Sequence, residues 1–458
     1  MDDKRIAPSA TNRRYWDVSG APKLLFGGSN THNLFQWTDR RLTEHLDLLV
    51  ECGGNYVRNT MSDREEHGIP PFAAGPDGTF DLDTWSDEYW ERLSTFLTET
   101  ARRGIVVHLT LWDQHDLSDA LWKVHPWNPA CNANYDAAAL PDAKAFFRTV
   151  DDDNSVVIDY QQRFVDRILD TTLPYRHVLY NVGNEAWTGL RWERFWASRI
   201  HERAQAAGAG AYVTAMHIAP ETTVRSTISH RESFDFADVS QVNQEAMGPM
   251  GRSHMDSLLL WRSLIPEHDP FPMTIEKVYR GGDRDDHQFG TTRMAQHRYW
   301  RNVFGGCSTV RFHRPIREGW GGIGLTEPAQ AMVRSMRLFV DAFDVPASTP
   351  HNDVIVSDTD DGPYCLARLG VAYAFLFLNG GSVEFDPWFD LASFRCRWLD
   401  VDSSRWSDRD GQIGVDWHEY TVWTGESARV PRYGRCALNA PADGLWVAVL
   451  TPTTEAAS

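Results

Sequence analysis

The chain has 458 residues, a formal net charge of -18 and 19 tryptophans. Its length exceeds one ordinary domain and suits a barrel of about 250 to 350 residues with a smaller module attached. The negative charge argues against a nucleic-acid groove, and the absence of an apolar run of about 18 residues argues against a membrane helix.

The N-terminus, Met1-Asp-Asp-Lys-Arg5, carries no apolar signal segment, which predicts a cytoplasmic protein. Residues 1-23 form a lead-in: a polar tail, then Arg14-Tyr-Trp-Asp-Val18, a short strand or arm turned at Ser19-Gly20. The first core strand is predicted at Leu24-Leu25-Phe26, opening into the small and polar Gly27-Gly28-Ser29-Asn30-Thr31-His32. Leu42, Leu46, Leu49 and Val50 repeat at helical spacing, and Gly53-Gly54 stops that helix. A second strand, Asn55 to Met61, carries Arg58 where its apolar run ends. Thr84 with Asp87 predicts a capping box, followed by the apolar helix face Tyr89, Leu93, Phe96 and Leu97. Ile105 to Asp113 is the third strand, with His108, Trp112 and Asp113 along it and His115 just beyond.

Residues 114 to about 154 are a long insertion rich in aromatic, Asn and Asp residues, including Trp122, Trp127 and Tyr135. A loop of that length and composition predicts a functional lid, the alternative being that it folds away over the outer helices with its aromatics as a local core. After a helix from Val157 to Leu169, the fourth strand (His177 to Tyr180) runs into Asn181-Val-Gly-Asn184-Glu185-Ala-Trp187. Tyr212 to His217 is the fifth strand and Val239 to Glu245 the sixth, ending in Asn243, Gln244 and Glu245. The seventh, Phe271 to Tyr279, holds Glu276, and the eighth, Ser308 to Arg314, holds His313. Trp320 lies in the Gly-bearing loop that follows. Eight alternations of strand and helix predict a (β/α)8 barrel over 24-345. From 352 to 456 the apolar period changes to two, predicting a C-terminal β-sandwich. The six cysteines have no metal-binding spacing and are expected to be reduced thiols, with no metal and no other cofactor.

Two glutamates, each ending a buried barrel strand, are what a retaining glycosidase requires. With Arg58, the pair Asn184-Glu185 and Glu276 resemble the ends of strands two, four and seven in the clan A glycoside hydrolases. That resemblance implies Glu185 as acid/base, Glu276 as nucleophile, and Asn184 at a sugar hydroxyl. Asn243 stands where many members of the clan carry a tyrosine. The opening from Asp17 to Phe35 and the tail signature Tyr373-Ala-Phe-Leu-Phe-Leu-Asn-Gly-Gly-Ser-Val-Glu-Phe385 further resemble the apiosidase-like family. That family joins such a barrel to a domain named for collagen binding.

The expected chemistry is double displacement, with carboxylates about 5 to 5.5 Å apart. Glu185 then needs a raised pKa and Glu276 must stay ionised, which an Arg58 contact would favour. The bland view of Glu276 is a buried pair with Lys277, which strand alternation disfavours. Further substrate-binding candidates are His32, His108, Asp113, His115, His217, Asn243, Glu245 and His313, with Trp112, Trp187 and Trp320 as stacking platforms. The expected partner is a small oligosaccharide or glycoside, with neither nucleic acid nor membrane, and homo-oligomers are compatible with the sequence. The lid predicts exo action on terminal sugars. A sugar-binding barrel without turnover, an endo-acting hydrolase, and a lyase or isomerase using the rim histidines stand as alternatives.

Overall fold

The computed structural model describes residues 5-64, 67-186, 188-217, 220-243, 250-281, 290-317, 320-357, 361-388, 393-408 and 411-453, less 420-421, 425-426 and 430-431. Eight parallel strands form one sheet: β1 (Leu25–Gly28), β2 (Tyr56–Thr60), β3 (Val106–Asp113), β4 (Val178–Ala186), β5 (Val213–His217), β6 (Ala237–Asp238), β7 (Met273–Val278) and β8 (Thr309–Phe312). Their order is β5-β4-β3-β2-β1-β8-β7-β6. The two ends of that order meet where Asp235 N donates to Val213 O at 2.8 Å and Thr214 Oγ1 donates to Phe236 O at 2.8 Å. This is a (β/α)8 barrel.

A helix follows each strand: α1 (Asp39–Glu51), α2 (Asp87–Arg102), α3 (Ser155–Thr172), α4 (Leu190–Ala206), α5 (Pro220–Ser229), α6 (Met250–Leu264), α7 (Thr292–Phe304) and α8 (Glu327–Ala342). The apolar repeats of α1 and α2 place Leu42, Leu46 and Leu49, and Tyr89, Leu93, Phe96 and Leu97, in the core. Parallel strands covered by helices can be apolar on both faces, as Val106 to Asp113 is.

Three predicted details differ. The Thr84 capping box is not formed; Thr84 ends a hairpin and donates to Asp81, and α2 starts after Ser86. Strand six is only Ala237–Asp238. The Asp238 carboxylate accepts the Ser240 N–H at 2.8 Å, and that side-chain turn opens the short helix Ser240–Asn243 where a strand is predicted; Gln244 and Glu245 lie outside the described residues. The insertion after β3 packs outward. Trp127 is buried, with its ring 5.2 Å from Phe72, 5.3 Å from Phe146 and 6.0 Å from Phe164 of α3. Tyr135 sits 5.7 Å from Tyr160 on the same helix. These rings form a local core over the outer helices, where each aromatic contributes about 1.5–3 kcal/mol through burial.

At the opposite end of the barrel, the lead-in folds as Ala7–Pro8, Trp16–Val18 and Ala21–Lys23, paired antiparallel. Trp16 is fully buried against Tyr212 and Phe236, beside the starts of β5 and β6. The C-terminal part builds antiparallel sheets around its own core of Phe375, Phe385, Phe394 and Trp398. Arg293 of α7 joins it to the barrel by two bonds to Asp402, at 2.6 and 2.9 Å, and Ser335 of α8 donates to Val401 O at 2.6 Å. All six cysteines are free thiols. Among the described residues no helix is long and apolar enough to cross a membrane.

Candidate active site

Side chains converge at the C-terminal end of the barrel, where β2, β3, β4 and β7 finish. Glu185 sits near the end of β4 with a backbone φ of +52°. That left-handed conformation is unfavourable for a residue with a Cβ, and such strain clusters at functional sites. The kink leaves the carboxylate about one-fifth exposed. Three side chains hold it: Nε2 of His115 at 2.9 Å, Nε2 of Gln241 at 2.8 Å, and Nζ of Lys277 in direct contact. Burial pushes the carboxyl up, but Lys277 and His115 outweigh it and keep Glu185 well below the usual carboxylate range. The raised pKa expected of an acid/base is therefore absent: Glu185 is an ionised carboxylate in this arrangement.

Glu276 has no exposed area. Its Oε1 accepts the Tyr56 hydroxyl and lies 3.2 Å from Nδ1 of His108. Its backbone N–H donates to Ser240 Oγ at 2.7 Å, and its carbonyl accepts from Arg311 at 3.0 Å. Burial again pushes the carboxyl up, yet His108, Tyr56 and Arg311 together leave it lowered. Asp238 nearby is raised to about 6, by burial and then by Glu276. The lowered pKa favours an ionised Glu276, whose partners are Tyr56 and His108. Those of Glu185 are Lys277, His115 and Gln241.

Lys277 is the strand-seven residue that meets Glu185, and the cause is local. The pairing of β7 with β8 shifts between Ile275 and Val278, so strict alternation fails across Glu276-Lys277. Lys277 is 1% exposed, and burial lowers its pKa while Glu185 counteracts that. The bland expectation was a Glu276–Lys277 pair; the pair formed is Glu185–Lys277.

Arg58 does not contact Glu276. Its Nε donates to Thr110 Oγ1 at 3.1 Å and its Nη2 to Asn184 Oδ1 at 2.8 Å. Asn184 in turn donates to Asp113 Oδ1 at 3.1 Å, which also accepts the His115 N–H at 3.0 Å. Arg64 clamps Asp113 at 3.0 Å and Asp116 at 3.2 Å. Burial drives the Asp116 carboxyl well up, whereas Arg64 and His115 overcome burial at Asp113 and hold it low. Arg58, Asn184, Asp113, His115 and Glu185 therefore form one connected group.

His32 is buried near Asp113, and His313 is buried with its ring 4.7 Å from Tyr279 and its Nδ1 3.3 Å from Arg311. Burial first, then Arg311, takes the His313 imidazole well below its ordinary pKa. Trp112 is not at the mouth as a platform. It is 4% exposed, wedged among Trp127, Phe146, Phe164, Trp192 and Trp196 on the outer face of the barrel. His217 ends β5, Asn243 ends the short helix Ser240–Asn243, and Trp320 begins the strand Trp320–Ile323; their side chains lie outside the described residues, as do Trp187 and Glu245 altogether.

Sequence reasoning missed Tyr56, Arg64, Ser240, Gln241, Lys277 and Arg311. Tyr56 and Arg311 were findable, because Tyr56 lies two residues before Arg58 on the same strand face, and Arg311 two before His313. Among the described residues no group of three or more His, Cys, Asp or Glu is arranged to hold a metal ion.

No protein-family model matches this sequence, and no curated protein matches it. Solved structures do. A glycoside hydrolase family 5 protein from Bacteroides vulgatus matches with a TM-score of 0.67 at 12% identity, over 98% of this chain and 93% of that one. A family 5 mannosidase from Rhizomucor miehei gives 0.52 at 14% identity, over 75% of this chain and 98% of its own. An endo-1,4-β-mannanase from the same fungus gives 0.51 at 12%, over 74% and 99%. Family 5 belongs to clan A, so these neighbours agree with the clan-level resemblance and do not bear on the apiosidase-like family or the collagen-binding label. At such identities what this chain shares with them is the fold, which the Bacteroides protein matches over almost the whole chain.

Proposed function

We propose that this protein is a glycoside hydrolase that releases terminal sugars from small glycosides or oligosaccharides at the C-terminal mouth of its barrel. The observation that carries the reading is Glu185. It is an ionised carboxylate on a strained backbone at the end of β4, partly open to solvent and held by side chains from three other parts of the barrel rim. Strain at a solvent-reaching carboxylate makes sense where a reacting group must be aimed. The fold shared with family 5 proteins supports the reading by analogy.

Double displacement assigns attack on the anomeric carbon to Glu276 and proton transfer to Glu185. The lowered pKa of Glu276 supports an attacking role. For proton delivery the Glu185–Lys277 contact has to open as the sugar enters, because Glu185 must then carry a proton. Exo action rests on the start of the insertion, where His115 borders Glu185; the outward packing of Trp127 and Tyr135 removes the aromatic wall first expected.

A second reading, a sugar-binding barrel without turnover, is favoured by the enclosure of Glu276 and the neutralisation of Glu185 by Lys277. A panel of aryl glycosides separates the two. Turnover that disappears in Glu276→Gln supports the hydrolase; saturable sugar binding with no turnover on any member supports the binding protein. Product anomer followed by NMR tests retention, and an inverted first product removes the nucleophile role of Glu276.

A further inference from the structure

A buried guanidinium normally finds a carboxylate, since an uncompensated buried charge is strongly destabilising. Arg58 is 1% exposed and has none among the described residues. Its Nε and Nη2 are taken by the neutral oxygens of Thr110 and Asn184, and no acidic group of the described residues stands within ion-pair distance. Beside it is a second buried cation, Lys277, near enough that the two like charges oppose one another.

The carboxylates described at the mouth each have another partner. Asp113 is clamped by Arg64 and bonded by Asn184, and Glu276 by Tyr56 with His108 and Arg311 near it. Asp238 is bonded by Ser240 and close to Glu276, although it also lies close enough to favour the charged form of Lys277. Glu185 takes one of the three donors of Lys277, leaving two. Among the described residues the arrangement is therefore two neighbouring buried cations, of which Arg58 has no paired carboxylate.

We propose that the substrate supplies that carboxylate: the mouth takes a sugar acid, a uronic or aldonic acid residue whose carboxylate docks against Arg58 and Lys277. A guanidinium and a carboxylate match in geometry, and an ion pair shielded from water is stronger than one in solution. A neutral hexose offers only hydroxyls and leaves Arg58 without a counter-charge. This inference rests on the glycoside hydrolase reading for its catalytic consequence but not for binding, so the two are tested separately.

Isothermal titration of the full chain with D-glucuronate, D-galacturonate, D-mannuronate, L-iduronate and D-gluconate, against D-glucose, D-galactose and D-mannose, reads binding. Acetate serves as the bare-anion control. The expected result is at least one sugar acid bound ten-fold or more tighter than its neutral counterpart and than acetate, the preference shrinking as salt rises. Arg58→Gln should remove the preference. Should that variant fold poorly, Lys277→Met reads the same loss. No preference for any sugar acid, or acetate bound as well as the best of them, overturns the proposal. In parallel, 4-nitrophenyl glucuronide, galacturonide and mannuronide are compared with the matching neutral glycosides. Sugar acid bound with no glycoside cleaved keeps this inference and ends the hydrolase reading. Neutral glycosides cleaved with every uronide refused does the reverse.

Discussion

Replacing Lys277 with methionine isolates the ion pair that dominates the mouth. Methionine fills nearly the same volume, so packing changes little, but Glu185 loses its strongest counter-charge in a site where the carboxylate is only about one-fifth exposed. Breaking a buried pair by removing one partner costs roughly 3–5 kcal/mol. His115 and Gln241 still hold Glu185, so the lower end, about 3 kcal/mol, is expected at pH 7. The sign with pH follows from the direction of the shift. In the wild type the folded pKa of Glu185 lies below its unfolded value, so its contribution is present above the unfolded pKa of about 4.3 and is lost as pH falls through the folded one. In the variant the lowering influence is removed and burial acts against ionisation. The difference between the two proteins should therefore be largest near neutrality and shrink towards pH 4, where the variant's Glu185 takes up a proton. Urea unfolding of both proteins at pH 7 and pH 4 measures it. A loss that is the same at both pH values, or below about 0.5 kcal/mol at pH 7, would refute the pairing as the source of the stability.

Other changes test other parts of the arrangement. Glu185→Gln should lower turnover by about 10²–10⁴-fold on glycosides with poor leaving groups, with a smaller loss on activated aryl glycosides, and an equal loss on both would remove its proton-transfer role. Trp112→Ala should cost about 3–5 kcal/mol by thermal or urea unfolding while leaving KM unchanged, because the ring is packed among five aromatics on the outer face. A raised KM without lost stability would return Trp112 to the sugar. Arg293→Ala, breaking a part-exposed bidentate contact to Asp402, should cost only about 0.2–1 kcal/mol, and separate melting of the two parts of the chain would show that this contact matters more.

The barrel was legible because its signal is periodic and repeated. Each strand is an apolar run closed by a polar or Gly-rich turn, and each helix shows a three-to-four-residue apolar repeat, so an error at one boundary does not disturb the count. The failures were local contests between backbone and side chain. At strand six, Val239, Val242 and their neighbours satisfy a strand pattern. The Asp238 carboxylate nevertheless captures the Ser240 N–H and turns the chain into a helix, and a composition window does not weigh that single bond. The insertion after β3 failed differently. Its aromatics announced a packed surface but not which one, since Trp127 fits a sugar platform and a helix-facing core equally well in sequence, and only proximity to Phe164 on α3 decides.

The site divided along the same line. Asn184-Glu185 was readable because a polar pair closing an apolar strand has few structural uses, and its placement depends on β4 alone. Strand seven was harder, because the argument there used alternation, a property of regular strands. Alternation assigns Glu276 and Lys277 to opposite faces and so predicts that at most one of them serves the mouth. The register shift between Ile275 and Val278 breaks that premise, and both side chains are buried within the barrel, Glu276 towards Tyr56 and His108 and Lys277 towards Glu185. Irregularities of this kind recur at barrel rims, where strands must stop pairing and re-aim a side chain. Alternation is thus least dependable at the ends of barrel strands, which is where the fold keeps its chemistry. For this chain the consequence is specific. The group opposite Glu185 is an amine, and Arg58, expected to steady a glutamate, is left without an acid. A charge distribution of that kind bears on what the mouth accepts as much as on how it reacts, and the comparison of sugar acids with neutral sugars measures the first independently of the second.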